Sequence, residues 1–500
     1  MKQLVLLLGL ALSPLAWAQP NDPTDHLEEL PPPQTLPVPP DPLQLVPDGQ
    51  GVVKFDVQQA VERGMTTHPQ VLAANARVRS AYWAFQKTAS LPSTQVTVAT
   101  IPGTNVPGSL PGGNNPSGAG AGFATFAANG LTDTYVQVTQ PFMPLGSYTT
   151  TQKVALQDYR VAVAEWNGAQ VKLRQQIKDA FYSLLAAQET IRVVQNNLDL
   201  ANEGYTISQK RYASGAGPQL DLIDAGVQLS RANQDLVRSQ AGLKQAQATL
   251  APLLNLPGQT AIEGTGSLDT PSLELAYSRL LELAQTNPQI QSALHALERS
   301  RKSVTLAEQQ AHPTPLLTFL RDLATHTYQV QVGLQFPIDW GQIRNDVRAK
   351  EESVLEQEQN LQAAKLEVSS NLKVAFEQYL GAMHNAADFR EKVLQPSEES
   401  TRITQYGFKR GAVPYVRLLT SQQNLASVRK EYIALLQSVF VALNALEAAA
   451  GHSLASAVPP TQNSERNPLP DNVSGQEPDS GGSRAPSGRS DPAARPAIPR

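Results

Sequence analysis

Thr67-His68-Pro69-Gln70 returns as Thr286-Asn287-Pro288-Gln289, and this pair of tetrapeptides frames the rest of the chain. Working outward, Leu91-Pro92 returns as His312-Pro313, and Val138-Thr139-Gln140-Pro141-Phe142 as Leu334-Gln335-Phe336-Pro337-Ile338. The Gly215 turn after Lys210-Arg211-Tyr212 returns as the Gly411 turn after Phe408-Lys409-Arg410. One supersecondary unit is therefore written twice. Pro69 to Pro288 is 219 residues and Pro92 to Pro313 is 221, whereas Pro141 to Pro337 and Gly215 to Gly411 are both 196. The first copy thus carries about 25 more residues between Pro92 and Pro141. They fall on the Gly/Pro/Asn/Ala stretch from Pro102 to Gly130, which reads as a loop joining two strands.

The expected organisation is a signal peptide over 1–18, a Pro-rich leader over 19–50, a first repeat over 51–265, a second over 266–456 and a disordered tail over 457–500. Lys2, the apolar run Leu4 to Leu12 and Ala16-Trp17-Ala18 have the order of a secretory signal, too short to span a membrane as a helix. No other apolar stretch reads as a transmembrane helix. With no cysteine, disulfides, thiolate metal sites and a lipidated N-terminal cysteine are excluded. If the chain enters a membrane it must do so as a closed β-barrel.

Between Gly146 and Pro218 there is no proline, and one helix over 147–213 would be about 100 Å long. A second long helix follows Gly341, with Pro396 expected to kink it. Apolar residues fall seven apart in the first helix. Ile177, Leu184, Ile191, Leu198, Tyr205 and Tyr212 form one seam, and Leu173, Ala180, Ala187, Val194, Ala201 and Ser208 the other. In the second helix the same register gives Leu380, Ala387, Leu394, Thr401 and Phe408, with Arg390 breaking the companion seam. Shorter helices over 219–251 and 415–450 return antiparallel.

The clearest strand is Tyr328 to Phe336. Tyr328, Val330, Val332, Leu334 and Phe336 alternate with Gln329, Gln331, Gly333 and Gln335, a lipid-out, water-in pattern. Val96–Thr100, Tyr135–Thr139 and Leu316–Leu320 are its companions. Four strands cannot close a barrel, since small barrels need about eight, so closure requires several copies.

Net charge of -4 gives no reason to expect nucleic acid. The seven histidines (His26, His68, His295, His312, His326, His384, His452) form no ligand pair with metal-site spacing. No nucleophile motif is present, so neither enzyme activity, a metal nor a cofactor is expected.

The paired Asn/His-Pro-Gln starts, the Gln140-Pro141-Phe142 and Gln335-Phe336-Pro337 strand ends, the Arg211-Tyr212-x-x-Gly215 turn and Leu220-Asp221-Leu222-Ile223-Asp224-Ala225 resemble the TolC family of outer-membrane efflux and secretion channels. The resemblance covers 51–456. It implies a mainly α fold with a β-barrel portion: a homotrimer with a twelve-stranded outer-membrane barrel, continued by a long periplasmic α-helical coiled-coil barrel. It also implies a periplasmic adaptor and an inner-membrane transporter as partners, with the channel conducting passively. The site residues would then lie at the hairpin tips: Arg211, Tyr212, Gly215, Asp221 and Asp224 in the first, Gly411, Tyr415 and Arg417 in the second. In related channels two acidic residues a turn apart, from the second repeat, ring the entrance. Here Asp221 and Asp224 have that spacing but lie in the first repeat. Asp221, Asp224 and Arg417 either meet at a constriction and hold it closed, or are solvated residues of first helical turns. The alternative for the whole chain is a soluble periplasmic coiled-coil adaptor.

Overall fold

Proline and glycine placement decides where the helices start and stop. The computed structural model describes residues 52–454 except 91, 102–132, 145, 259, 270–275, 324–326, 339 and 411. The signal peptide, the leader, the 102–130 loop, the tail and Gly411 therefore lie outside the described residues.

The chain runs β1 (Val52–Phe55), α1 (Val57–Thr67), α2 (Pro69–Thr88), β2 (Gln95–Ile101), β3 (Asp133–Pro141), α3 (Ser147–Ala213), α4 (Gln219–Leu253) and β4 (Ala261–Gly264). It continues with α5 (Tyr277–Ala284), α6 (Pro288–Gln309), β5 (Thr314–Asp322), β6 (Tyr328–Gln335), α7 (Trp340–Phe389), a π-turn (Arg390–Leu394), α8 (Gln395–Lys409) and α9 (Tyr415–Ala450). The two Pro-Gln starts fold alike. Proline takes the first helical position, and the preceding side chain caps it: Nδ1 of His68 accepts from Gln70 N–H at 3.3 Å, and Oδ1 of Asn287 from Gln289 N–H at 2.9 Å.

Strands β2, β3, β5 and β6 form one antiparallel sheet in that order, and β1 pairs in parallel with β4 in a separate two-stranded sheet. Register decides what each face of the larger sheet presents. Val96, Val138, Phe319 and Val330 lie in one cross-strand row. Thr97, Gln137, Leu320 and Gln329 form a row on the opposite face, as do Gln95, Thr139, Thr318 and Gln331. One face is thus largely apolar and the other largely amide and hydroxyl. Val332 on the apolar face is 82% exposed. Gln140, from the repeated strand-end motif, ties the base of the sheet: its Nε2 donates to the Pro92 carbonyl at 2.8 Å and its Oε1 accepts from Thr94 Oγ1 at 2.5 Å. All four helix junctions, before β2, after β3, before β5 and after β6, lie at this end.

Helix α3 carries the main core. Leu173, Ile177, Phe181 and Leu184 are buried against Leu250, Leu254 and Ile262. Each such side chain contributes about 1.5–3 kcal/mol by leaving water. Helix α9 runs antiparallel to α3, from Tyr415 over Gly204 to Phe440, whose ring stacks on Tyr182 with centroids 4.0 Å apart. Farther along, Asn444 donates to Asp179 at 2.8 Å and Lys178 pairs with Glu447. By length and composition α9 could cross a membrane, with a mean hydropathy of 1.7 over its most apolar window, although no second stretch of that kind is expected from the sequence. Its apolar residues Ile433, Leu436, Val439, Phe440, Leu443 and Leu446 pack into the cores instead.

The seams need one correction. In α3 both seams are buried from Leu173 to Leu184; beyond Ala187, which is half-buried, Val194, Ala201 and Ser208 stay buried while the other seam opens toward Tyr212. In α7 the expected seam residue Leu380 is 45% exposed and its neighbour Tyr379 is 2% exposed. Ala386 rather than Ala387 is buried next. Beyond the π-turn the buried residues are Thr401 and Phe408, which do match the expected seam. A π-turn adds one residue per turn, so the buried stripe moves on by one position across 390–394. Gln395 N–H bonds the Arg390 carbonyl five residues back, just before Pro396, which has no N–H to donate.

Candidate functional site

The hairpin tips share two backbone hydrogen bonds at equivalent positions. At the first, Ser214 N–H bonds Lys210 O at 3.1 Å, Gly215 N–H bonds Tyr212 O at 3.0 Å and Ala216 N–H bonds Arg211 O at 2.8 Å. Gly215 has φ +70°, a left-handed conformation that favours glycine and ends α3. At the second, Arg410 N–H bonds Tyr406 O at 3.3 Å and Ala412 N–H bonds Gly407 O at 2.9 Å. Pro218 and Pro414 then stand at the N-caps of α4 and α9.

The side chains at the two tips differ. Phe408 is 8% exposed, whereas Tyr212, its counterpart 196 residues earlier, is 44% exposed. Phe408, Tyr415, Leu418 and Ala225 form a small core that joins the two hairpins. Tyr415 sits directly over Gly204 of α3. The Arg211 guanidinium lies 6.0 Å from the Phe408 ring centroid, reaching from one tip to the other. Burial, followed by the carboxylates of Asp221 and Asp224, pushes the Tyr415 phenol up. Tyr415 therefore lies within electrostatic reach of Asp221 and Asp224.

Arg417 is exposed and, among the described residues, makes no ion pair with either aspartate. Farther up, Gln423 Nε2 donates to Gln228 Oε1 at 2.5 Å and Lys430 Nζ lies 3.4 Å from Asp235 Oδ2. These pairs bridge α4 and α9, the returning helices of the two hairpins. Arg429 clamps Glu398 with Nε at 3.1 Å and Nη2 at 2.8 Å.

Gly204, Phe408 and Leu418 carry the tip geometry but do not stand out in the sequence as site residues. Phe408 reads as a seam residue and as the start of the repeated Phe408-Lys409-Arg410 stretch before the turn, and a glycine within a long helix gives no sign of the ring that will lie over it. Among the described residues, no three His, Asp or Glu side chains are grouped to hold a metal ion.

The model of the family described as "Outer membrane efflux protein" matches residues 121–256 and 280–452, more than half of the chain. The chain belongs to the outer membrane efflux protein family. The cobalt-zinc-cadmium resistance protein CzcC of Cupriavidus metallidurans is 23% identical over 294 residues, covering 57% of this chain and 69% of that protein. The toluene efflux pump outer membrane protein TtgC of Pseudomonas putida is 22% identical over 312 residues, covering 58% of this chain and 62% of TtgC. The fold is that of the Campylobacter jejuni outer-membrane channel CmeC, with a TM-score of 0.64, 15% identity and coverage of 79% of this chain and 85% of that one. It is likewise that of the Vibrio cholerae outer membrane protein VceC, with a TM-score of 0.61, 17% identity and coverage of 79% and 96%. The protein is an outer-membrane efflux channel, not an enzyme and not a soluble adaptor.

Proposed function

We propose that three copies of this efflux protein close one twelve-stranded barrel, with β6 of each copy pairing to β2 of the next. The observation that carries this is the open four-stranded sheet, apolar on one face and amide-rich on the other. An open sheet edge is not tolerated in lipid, and closure removes it. The helices leave the sheet at a single end and continue it as a periplasmic tunnel. Substrate is delivered by an inner-membrane transporter through a periplasmic adaptor that docks at the hairpin tips, where Tyr212, Leu220, Ile223, Tyr406 and Val416 offer exposed apolar surface. Conduction is passive, and directionality belongs to the partner pump. The names of CzcC and TtgC point to chemically unrelated cargoes, so cargo choice is assigned to that pump.

Arg211, Tyr212, Gly215, Asp221, Asp224, Tyr415 and Arg417 form the entrance. Within one chain Arg417 has no acidic partner among the described residues, so the contacts that hold the entrance narrow are assigned to neighbouring copies.

The test is the mass of the detergent-extracted protein by light scattering, with fractionation to identify the membrane that releases it. A particle of three chains from the outer membrane is expected. Release without detergent would remove the barrel.

A further inference from the structure

On the apolar face, β5 and β6 pair in four rows: Pro315 with Leu334, Leu317 with Val332, Phe319 with Val330, and Arg321 with Tyr328. The first three are apolar and the last is not. Arg321 and Tyr328 form the final row before the turn at the end of the sheet that no helix joins. Strand β5 is interior to the sheet, flanked by β3 and β6, so Arg321 faces the bilayer however the copies meet. Asp322, next in sequence, belongs to the opposite face.

The height of the apolar band fixes the depth of this row. On β6 the apolar alternation runs from Tyr328 through Leu334 and continues past the strand at Phe336 and Ile338, both exposed. The ten steps from Tyr328 to Ile338, at about 3.4 Å each and tilted by about 40°, span about 25 Å, the height of the lipid-facing band of an outer-membrane barrel. Arg321 and Tyr328 therefore lie at its outer rim, at headgroup level. An arginine is strongly disfavoured at the bilayer midplane but tolerated at the rim.

Its side chain is held in place there. The Arg321 guanidinium carbon lies 5.3 Å from the Tyr328 ring centroid, and Nε is enclosed with no hydrogen-bond partner among the described residues. No carboxylate of the described residues forms an ion pair with it. A planar cation fixed on an aromatic ring at headgroup depth, facing lipid, has the chemistry that recognises a phosphate oxygen pair. We propose that Arg321, seated on Tyr328, binds a phosphate group of an outer-leaflet lipid, once per copy around the barrel. This rests on the barrel reading above.

The experiment uses the full-length, detergent-extracted oligomer. It is titrated with lipid A bearing both phosphates and with the same lipid after enzymatic removal of both, and bound lipid is read by native mass spectrometry. The wild-type protein is expected to retain the phosphorylated form about tenfold better, the scale of a charge-assisted hydrogen bond. Arg321→Gln should abolish that preference and Arg321→Lys should keep part of it. Equal retention of the two lipids by the wild-type protein, whatever the variants do, overturns the proposal, as does a preference unchanged in Arg321→Gln. Displacement of the lipid by millimolar inorganic phosphate would overturn it too, since the site would then be one for a free anion. Failure of the barrel reading looks different: the protein would leave the membrane without detergent and present no oligomer to titrate.

Discussion

Gly204 of α3 lies beneath Tyr415 of α9 so closely that a Cβ added there would stand 2.6 Å from the phenolic oxygen and 3.1 Å from the ring. The absence of a side chain on one hairpin thus admits the aromatic anchor of the other. Gly204→Ala should displace Tyr415 and loosen the tip, at a cost of about 1–3 kcal/mol for an overpacked site. Thermal unfolding of the helical circular-dichroism signal measures it. Adding Tyr415→Phe removes the nearest atom, so the double variant should recover part of the loss; no recovery would place the strain elsewhere.

Arg417→Asp should raise single-channel conductance in planar bilayers if the entrance is held narrow by contacts of Arg417 with acidic groups of a neighbouring copy. The substitution would set a like charge against Asp221 and Asp224 of the neighbouring copy. Unchanged conductance would leave Arg417 as a solvated residue of the first turn of α9.

The two Pro-Gln helix starts differ in titration. Burial holds the His68 imidazole below its ordinary range, and its Nδ1 can cap α2 only when it is unprotonated. A depressed folded-state pKa means that the unfolded chain binds the proton more readily. This stability is therefore fully present above the ordinary histidine value and is lost as pH falls through the folded one. His68→Asn, which copies the cap used at Asn287, should flatten the dependence of melting temperature on pH between about 7 and 5. An undiminished slope would assign it to other groups.

Lys178 and Glu447 pair with side chains only 14% and 8% exposed, linking α3 to α9. Glu447 also accepts from the Leu454 N–H at 3.2 Å. Lys178→Met should cost about 3 kcal/mol or more because it strands a buried carboxylate. Adding Glu447→Leu should return most of that loss. A double variant as unstable as the single one would mean that packing, not charge, sets the cost.

The π-turn makes a sharper prediction about register. Deleting Val393 together with Pro396→Ala should leave a regular helix in which Tyr379, Ala386 and the downstream Thr401 and Phe408 stay on one stripe. The oligomer should survive extraction. The matching one-residue deletion in α3, which has no π-turn, rotates every later seam residue by about 100° and should abolish assembly. Equal behaviour of the two deletions, read by light scattering, would remove the register argument.

The local features of this efflux protein are legible in its amino-acid order. Proline-free spans gave the 67-residue α3, period-two alternation gave the strand from Tyr328, and the Gly215 turn with Pro218 gave the hairpin tip. Each rests on the backbone preferences of a few adjacent residues. Three matters depended on the tertiary structure. Tyr379 rather than Leu380 faces the core because a π-turn elsewhere in the same helix shifts the stripe. Tyr415 meets Gly204 across more than two hundred residues of chain. Arg321 stands opposite Tyr328 on the apolar face only because the β5–β6 register puts it there. Periodicity says which side of an element is apolar; which residue meets which is decided by pairing and packing between segments that no local pattern records.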